Sequence, residues 1–312
     1  MKQGDCKSGF VAMLGRPNVG KSTLLNSLVG NKISIVSAVP QTTRYQIRGI
    51  LNVQNPQEKG KPAQIVFVDT PGIHSFKDTL VSHLNTIAKR SLEGCDLILY
   101  VVDISRRVGK EELVITELLT SQKTKVIMVL NKIDLGKAGL NEYVNLWRET
   151  IKRKKRYSDP LVHYLPLSAK TGKNIDVLKE AIVENLPLGP LFYELDMRTD
   201  FPLKFRIADI IREKLFLHLK KELPHSLAVE VEEIDEERIP PYIKANIYVN
   251  RPSQKKIVIG QNGAMIKNIG QQARQDIEKI YNRKVYVDIW VKVMEDWQRK
   301  TRILKELGYW WA

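Results

Sequence analysis

Short apolar runs alternate with segments of helical periodicity through the first part of the chain. The runs have the length and β-branched content of strands and lie at residues 10–14, 65–68, 97–102, 126–130 and 164–167. Helical patterns separate them at residues 22–28, 80–92, 111–119 and 141–152. This alternation predicts an α/β domain whose mostly parallel sheet carries helices on both faces. Sheets of this kind bind ligands at the carboxyl ends of their strands.

The pattern changes after residues 185–190, where two prolines and a glycine predict the end of a helix. Beyond this point, strands of alternating polarity combine with longer amphipathic helices, which predicts a second, α+β domain. Its predicted elements are a helix at 202–223, strands at 227–234 and 243–249 joined by a turn at 236–241, a short element at 256–259, a helix at 264–281, a strand at 285–293 and a helix at 297–311. We therefore predict domains at 1–186 and 202–312, with a linker at 187–201.

The charge balance adds a candidate class of partner. The formal net charge is +15, which favours a polyanionic partner, although a soluble protein that is merely rich in lysine has the same balance. Cys6 and Cys95 are far apart and Cys95 opens an apolar run, so we expect neither a disulfide nor a metal site. No signal peptide or membrane span is predicted, and a reducing cytoplasm is the simplest compartment.

A glycine-rich loop between the first strand and the first helix matches the phosphate-binding pattern Gly-x-x-x-x-Gly-Lys-Ser. Its main-chain N–H groups are expected to hold phosphate oxygens, Lys21 to reach the β- and γ-phosphates, and Ser22 to bind Mg²⁺. The residues predicted to bind nucleotide here are Gly15, Asn18, Val19, Gly20, Lys21, Ser22 and Thr23.

Three further motifs follow strand ends in the order expected for a guanine nucleotide site. Asp69 in Asp-Thr-Pro-Gly is predicted to hold Mg²⁺, and the Gly72 N–H to approach the γ-phosphate. Asp134 in Asn-Lys-Ile-Asp can accept hydrogen bonds from the guanine ring N–H and amine, which adenine lacks. Asn131 and Lys132 complete that motif, and the Lys132 stem can lie over the plane of the base. The run of Ser168, Ala169 and Lys170 is predicted to offer a main-chain N–H to the guanine oxygen.

Together these motifs resemble the translation-factor class of GTP-binding proteins over residues 9–185. In that class a threonine binds Mg²⁺ when γ-phosphate is present; Thr43 is the candidate here, and the neighbouring Thr42 leaves the assignment open. Many small GTPases carry a water-orienting glutamine where this chain has Ile73, so intrinsic hydrolysis is expected to be slow or to depend on another group or a partner. By the same resemblance, Asn18 implies activation by K⁺. The predicted catalytic residues are Lys21, Thr43, Gly72 and Asn18.

The second domain contains the loop Gly260-Gln261-Asn262-Gly263 before a predicted helix. A Gly-x-x-Gly loop in this setting resembles that of KH domains, where it clamps the backbone of single-stranded nucleic acid. The order of elements is similar to the type II arrangement. The residues predicted to bind RNA are Lys255, Lys256, Gly260, Gln261, Asn262, Gly263 and Lys267. The competing interpretation is a glycine-rich turn in a basic domain.

One GTPase domain followed by a KH domain in a single chain resembles the Era family of GTPases, along the whole length. The resemblance implies GTP or GDP and Mg²⁺ as ligands, binding to 16S ribosomal RNA near its 3′ end, and a role in assembly of the 30S subunit. It also implies peripheral contact with the inner face of the cell membrane. In this sequence the only support for such contact is surface basicity, including the basic run at residues 152–156. A solvated helix end explains that run as well and is the favoured interpretation. A monomer is expected. The alternatives are a GTP-stabilised RNA scaffold and an ATP-driven enzyme, the latter disfavoured by Asp134.

Overall fold

The computed structural model describes residues 6–36, 47–55, 61–72, 86, 88–136, 139–154, 159–219 and 223–308. The chain divides into two compact units. The first unit ends at Asp200 and the second begins at Phe201, while Ile35 and Val36 group with the second unit.

A sheet in the order β2-β3-β1-β4-β5-β6 forms the centre of the first unit. Its strands are β1 (Cys6–Leu14), β2 (Ile47–Gln54), β3 (Pro62–Asp69), β4 (Leu97–Asp103), β5 (Lys125–Asn131) and β6 (Leu161–Pro166). They are parallel except for β2, which runs antiparallel to β3. The helices are α1 (Lys21–Val29), α2 (Lys110–Leu119), α3 (Leu140–Lys154) and α4 (Ile175–Asn185). The predicted α/β fold is confirmed.

Burial on both faces of the sheet explains why the sequences of the parallel strands are continuous apolar runs. Every residue of β4 is buried, and β5 is exposed only at its first residue. A strand covered on both faces has no solvent side that would favour alternation. Trp147 on α3 is fully buried and packs near Tyr100 of β4, with ring centroids 6.3 Å apart.

Two strands of this unit were missed. The β2 sequence contains Gly49, which weakens a strand pattern, but a Cβ there would lie 2.6 Å from Leu25 Cδ1, so the close packing of α1 requires glycine. The two-residue strand β7 (Leu188–Gly189) pairs antiparallel with the start of β1 and is too short to leave a periodic signal. The helix predicted at 80–92 lies mostly outside the described residues, although residues 86 and 88–90 are helical.

The segment that follows α4 lies against the sheet and is held there by a buried glutamine. Gln64 on β3 is fully buried. Its Oε1 accepts hydrogen bonds from the Phe192 and Tyr193 N–H groups at 2.7 and 3.0 Å, and its Nε2 donates to the Tyr193 carbonyl at 2.9 Å. Nε2 also donates to Asn52 Oδ1 at 2.9 Å. The Gln64 amide therefore fixes residues that the sequence assigned to a linker.

The second unit has the order α–β–β–α–α–β–α. It consists of α5 (Leu203–His218), β8 (Leu227–Asp235), β9 (Tyr242–Val249), α6 (Pro252–Ile259), α7 (Ala264–Tyr281), β10 (Tyr286–Val293) and α8 (Thr301–Glu306). The sheet order is β10-β9-β8, with β8 antiparallel and β10 parallel to β9. The predicted α+β arrangement is confirmed. Helix α5 ends five residues earlier than predicted, because Leu219 takes an extended conformation.

We predict that Gln64→Ala will loosen residues 190–197 from the first unit. The substitution leaves two partly buried main-chain N–H groups without their acceptor, at up to about 1 kcal/mol each. Chymotrypsin should then cleave after Phe192, Tyr193 or Leu195 about tenfold faster than in the wild type, as measured by mass spectrometry. Gln275→Ala, an exposed change on α7, is the matched control. Equal cleavage rates in both variants would contradict the anchoring role.

Candidate nucleotide site and nucleic-acid interface

The glycine-rich loop lies at the carboxyl end of β1, and its shape depends on residues in the left-handed region. Asn18 has φ of 63° and Gly20 has φ of 101°. A Cβ at Gly15 would lie 2.3 Å from the Val101 carbonyl oxygen, and one at Gly20 would lie 2.4 Å from Asn131 Nδ2. The glycines are therefore required by close approach of the neighbouring strands as well as by conformation.

Lys21 begins α1 and lies under the loop that precedes it. Its Nζ donates hydrogen bonds to the carbonyl oxygens of Gly15 and Arg16 at 3.1 and 3.0 Å. Burial lowers the pKa of Lys21 to about 8, although the Asp69 carboxylate acts in the opposite direction. An anion in the loop would favour the charged form of this amine.

Asp69, Ser22 and Ser34 form a cluster of oxygen atoms at the end of β3. The hydroxyls of Ser22 and Ser34 donate to Asp69 Oδ2 at 2.9 and 3.1 Å. The other carboxylate oxygen, Oδ1, is buried and has no hydrogen-bond partner among the residues that the structure describes. Burial raises the pKa of Asp69, against the lowering effect of Lys21. An orphaned carboxylate oxygen beside a serine hydroxyl fits Mg²⁺, which prefers such ligands. Thr43, the other predicted ligand, lies outside the described residues.

The Asp-Thr-Pro-Gly turn packs directly on the glycine-rich loop. The Thr70 hydroxyl donates to the Met13 carbonyl at 2.9 Å. A Cβ at Gly72 would lie 2.7 Å from the main-chain nitrogen of Pro17, so only glycine fits here. The turn and the loop are thus adjacent, as the sequence predicts. Ile73 lies outside the described residues, and its effect on hydrolysis stays a prediction.

Asn131 joins the loop to the predicted base-binding elements. Its Nδ2 donates to the Val19 carbonyl at 2.8 Å, and its Oδ1 accepts from the Ala169 N–H at 3.0 Å. The fully buried Ser168 donates through Oγ to Asp134 Oδ1 at 2.6 Å. Asp134 itself is exposed and sits in a short 3₁₀ turn, Ile133–Leu135. The arrangement orients an accessible carboxylate, which is what recognition of the guanine edge requires.

The remaining predicted residues lie around the same site. Lys132 has φ of 67°, and its Nζ donates to the Asn18 carbonyl at 2.8 Å. Lys170 is exposed in the turn after Ala169, and Thr23 lies in the first turn of α1. The structure thus brings together the predicted nucleotide residues that it describes.

Four supporting side chains were not identified from the sequence. Ser34 lies on Asp69, as described above. Arg16 pairs with the buried Glu112 of α2, with Nε 2.7 Å from Oε1, which ties the loop to that helix. Asp103 ends β4 and contacts Lys132. A carboxylate at the end of a fully buried strand was a usable signal for Asp103; no local pattern marks Arg16 and Glu112, which are distant in sequence.

The Gly-x-x-Gly loop joins α6 to α7. Gly260 and Gly263 have φ of 75° and 77°, and Asn262 has φ of 52°. A Cβ at Gly260 would lie 2.6 Å from Met265 Cβ, so this glycine is required by packing as well. Gln261 and Asn262 are exposed at the tip, directly before the N-terminus of α7. Main-chain N–H groups at such a position favour a phosphate.

A groove of about 500 Å³ runs between α7 and β10, beside this loop. It combines apolar walls with two basic side chains and an exposed tyrosine, and its lining includes Ile266, Lys267, Arg274, Tyr286 and Ile289. Lys256 is exposed and Lys255 is half-buried on the preceding helix. Apolar walls suit nucleobases and the basic rim suits phosphates. Arg274 and Tyr286 add to the predicted RNA-binding set.

Comparisons with protein families match both units. A family model described as a 50S ribosome-binding GTPase matches residues 10–132, and one described as a KH domain matches residues 222–298. GTPase Era from a Thermoanaerobacter species is 45% identical over 306 residues, covering 97% of this chain and 96% of that relative. GTPase Era from Geobacter metallireducens is 42% identical over 313 residues, covering 99% and 100%.

Two solved structures resemble the whole chain. A crystal structure of Era in complex with MgGDPNP and nucleotides 1506-1542 of 16S ribosomal RNA has a TM-score of 0.87 at 40% identity. A structure of a variant of Aquifex aeolicus Era bound to GDP.AlF4⁻ has a TM-score of 0.86 at 39% identity. Each match covers 97% of this chain and 99% of the other.

We predict that Asp134→Asn will change the base preference of the site from guanine to xanthine. An amide cannot accept hydrogen bonds from both guanine donors, but it can donate to the 2-oxo group of xanthine. Affinity for GDP should fall on the order of a hundredfold while that for XDP rises. Competitive displacement of a fluorescent nucleotide measures both. Asp176→Asn, whose side chain is 88% exposed on α4, controls for loss of charge. Unchanged GDP affinity in Asp134→Asn would place the base elsewhere.

Proposed function

This chain belongs to the Era family of GTPases, and from that premise we propose that it is a switch that binds 16S ribosomal RNA near its 3′ end during 30S subunit assembly. It binds GTP and hydrolyses it to GDP and phosphate. The observation that carries the proposal is the Gly260–Gly263 turn beside a basic, apolar-walled groove, in a chain whose first unit holds a guanine nucleotide site. The first unit supplies the GTP-dependent switch, and the second unit supplies the attachment to RNA.

In the proposed reaction, the loop holds the triphosphate while water attacks the γ-phosphorus and the bond to the β–γ bridging oxygen breaks, which releases GDP. The Lys21 ammonium neutralises negative charge at the β- and γ-phosphates. The Gly72 N–H would donate to the γ-phosphate, and loss of that group on hydrolysis would release the contact. Ser22, Asp69 and Thr43 would hold Mg²⁺, which would supply positive charge to offset that of the phosphates.

The sequence has Ile73 where many small GTPases have the glutamine that orients the attacking water. Catalysis must therefore draw on added positive charge or on a partner. We propose K⁺ at the phosphates, held with the help of Asn18, as a source of that charge.

GTP hydrolysis is accordingly predicted to be at least about tenfold faster in KCl than in NaCl of equal ionic strength. The measurement is phosphate release under single-turnover conditions with saturating Mg²⁺. Asn18→Ala should lose the difference between the two salts. The same rate in K⁺ and Na⁺ would remove the proposal about the ion and leave the GTPase assignment intact.

RNA is proposed to enter the groove between α7 and β10 with its phosphates at the Gly-x-x-Gly turn. The left-handed glycines allow close approach of the backbone, while Lys267 and Arg274 supply charge. Tyr286 is exposed at the groove edge and can stack on a base. The choice of the small subunit follows the full-length relative crystallised with 16S RNA, because the description naming the 50S particle belongs to a family model that matches residues 10–132 alone.

Two other readings make different predictions. A scaffold that needs GTP only for stability would keep its RNA affinity and its function in a Lys21→Ala variant, whereas a hydrolysis-driven switch loses function. An ATP-driven enzyme would bind ATP more tightly than GTP. The exposed Asp134, oriented by Ser168, favours guanine and therefore the GTPase.

We propose the cytoplasm as the site of action, where ribosomal RNA is found. Among the residues described, no helix is long and apolar enough to cross a membrane. Arg153 and Lys154, in the basic run at residues 152–156, both pair with Glu117 of α2. Lys154 also donates to the Glu117 carbonyl and to Ser121 Oγ, each at 2.6 Å. These contacts support the structural explanation of the run over peripheral membrane binding.

The test of the RNA role is crosslinking in cells followed by sequencing of the bound RNA, with wild type compared with Gln261→Asp/Asn262→Asp. Two acidic residues at the exposed tip repel phosphate, and aspartate tolerates the left-handed backbone at position 262. Wild type should enrich the 3′ end of 16S RNA, and the variant should lose that enrichment while keeping its GTPase rate. RNAs without ribosomal enrichment would overturn the assembly role and spare the GTPase.

A further inference from the structure

A buried carboxylate lies behind the nucleotide site and belongs to none of the four nucleotide motifs. Asp103 is the last residue of β4, is fully buried, and pairs in register with Asn131 on β5. The Asn-Lys-Ile-Asp motif therefore starts beside it. Its Oδ2 is 2.7 Å from Nζ of Lys132, the residue whose side chain is expected to cover one face of the base.

Lys132 is held at its amino end by two acceptors. Besides Asp103, Nζ donates to the carbonyl oxygen of Asn18 at 2.8 Å. A Cβ at Gly20 would lie 4.0 Å from Lys132 Cε, so the stem passes along the glycine-rich loop. The lysine thus spans from the base-recognition motif to the phosphate loop, and both of its ends are fixed.

The contacts of Asp103 divide between its two oxygens. Oδ1 accepts from the Ser105 N–H at 3.1 Å and from Ser105 Oγ at 2.6 Å, which shapes the turn after β4. Oδ2 faces two cations, Lys132 and the more exposed Arg106, whose Nε is 3.3 Å away. Burial acts to raise the pKa of Asp103, but the hydrogen bonds from Lys132 and Ser105 outweigh it and hold the pKa below its usual value.

We propose that Asp103 is a positioning residue for guanine nucleotide binding, acting through Lys132. The carboxylate stretches the lysine stem into the place where the base stacks and, by the same contact, keeps the Asn18 carbonyl turned toward Lys132. A side chain that is already ordered loses less conformational freedom when the nucleotide binds, which favours affinity. Without Asp103 the ammonium would be free to leave both partners.

A merely structural role in the turn makes a different prediction, and substitutions can separate the two. Asparagine at position 103 keeps a carbonyl that accepts from Ser105, but its amide group cannot accept from the Lys132 ammonium. Ser105→Ala removes the hydroxyl bond to Oδ1 and leaves the Lys132 contact in place. The first change therefore targets the lysine and the second the turn.

The experiment is a double-mutant cycle on the full chain, with GDP affinity and dissociation rate measured by fluorescent nucleotide in Mg²⁺ buffer. Asp103→Asn and Lys132→Met should each weaken GDP binding about tenfold, the effect of losing one charge-assisted contact. The double variant should be no weaker than Lys132→Met alone, because Asp103 acts through the lysine. Ser105→Ala should bind GDP like the wild type. Circular dichroism melting checks the folding of each variant.

Two outcomes overturn the proposal: wild-type affinity in Asp103→Asn, or losses that multiply in the double variant. If Asp103→Asn fails to fold, Asp103→Ser replaces it, since a serine hydroxyl can accept from the Ser105 N–H but does not reach Lys132. The inference rests on guanine nucleotide binding at this site. A wild-type chain that binds no GDP would sink that function itself, an outcome distinct from a cycle that shows independent effects.

Discussion

The nucleotide site depends on how the carbonyl groups of the phosphate loop are satisfied. The carbonyl oxygens of Gly15 and Arg16 accept from Lys21, that of Asn18 accepts from Lys132, and that of Val19 accepts from Asn131. A peptide whose carbonyl is bound on one side presents its N–H group on the other. The loop can offer a set of N–H groups to an anion because side chains of the surrounding protein already hold its oxygens.

This constraint explains why the base motif and the phosphate loop belong to one structural unit. Asn131 and Lys132 are known by their position in a base-recognition motif, yet their polar ends contact the loop, and Asn131 also reaches Ala169. Selection of the base and binding of the phosphates therefore share the same supports. A substitution at the end of β5 should therefore change both selection of the base and binding of the phosphates.

Sequence reasoning succeeded where a feature is local and failed where it is not. The glycine-rich loop, the strand-end motifs and the Gly-x-x-Gly turn are contiguous runs whose chemistry is legible residue by residue. The side chains that position them are distant in sequence: Glu112 reaches Arg16, and Gln64 reaches Phe192 and Tyr193. Such pairs form only once the topology brings segments that are distant in sequence together. Strand β2 was missed for a related reason, since its Gly49 weakens the local pattern and is explained only by Leu25 of α1.

The two units use one physical device for two ligands. In each, a glycine with positive φ directly precedes a helix: Gly20 before α1 and Gly263 before α7. Both turns therefore aim main-chain N–H groups and the positive end of a helix at an anion. What differs is the surroundings. Around Gly20, buried polar side chains enclose a compact site that suits a nucleotide and its metal ion. Around Gly263 the turn opens onto a groove with apolar walls and exposed lysines, which suits an extended polyanion whose bases need a surface. Ligand identity is thus set by the enclosure of the turn and not by the turn itself.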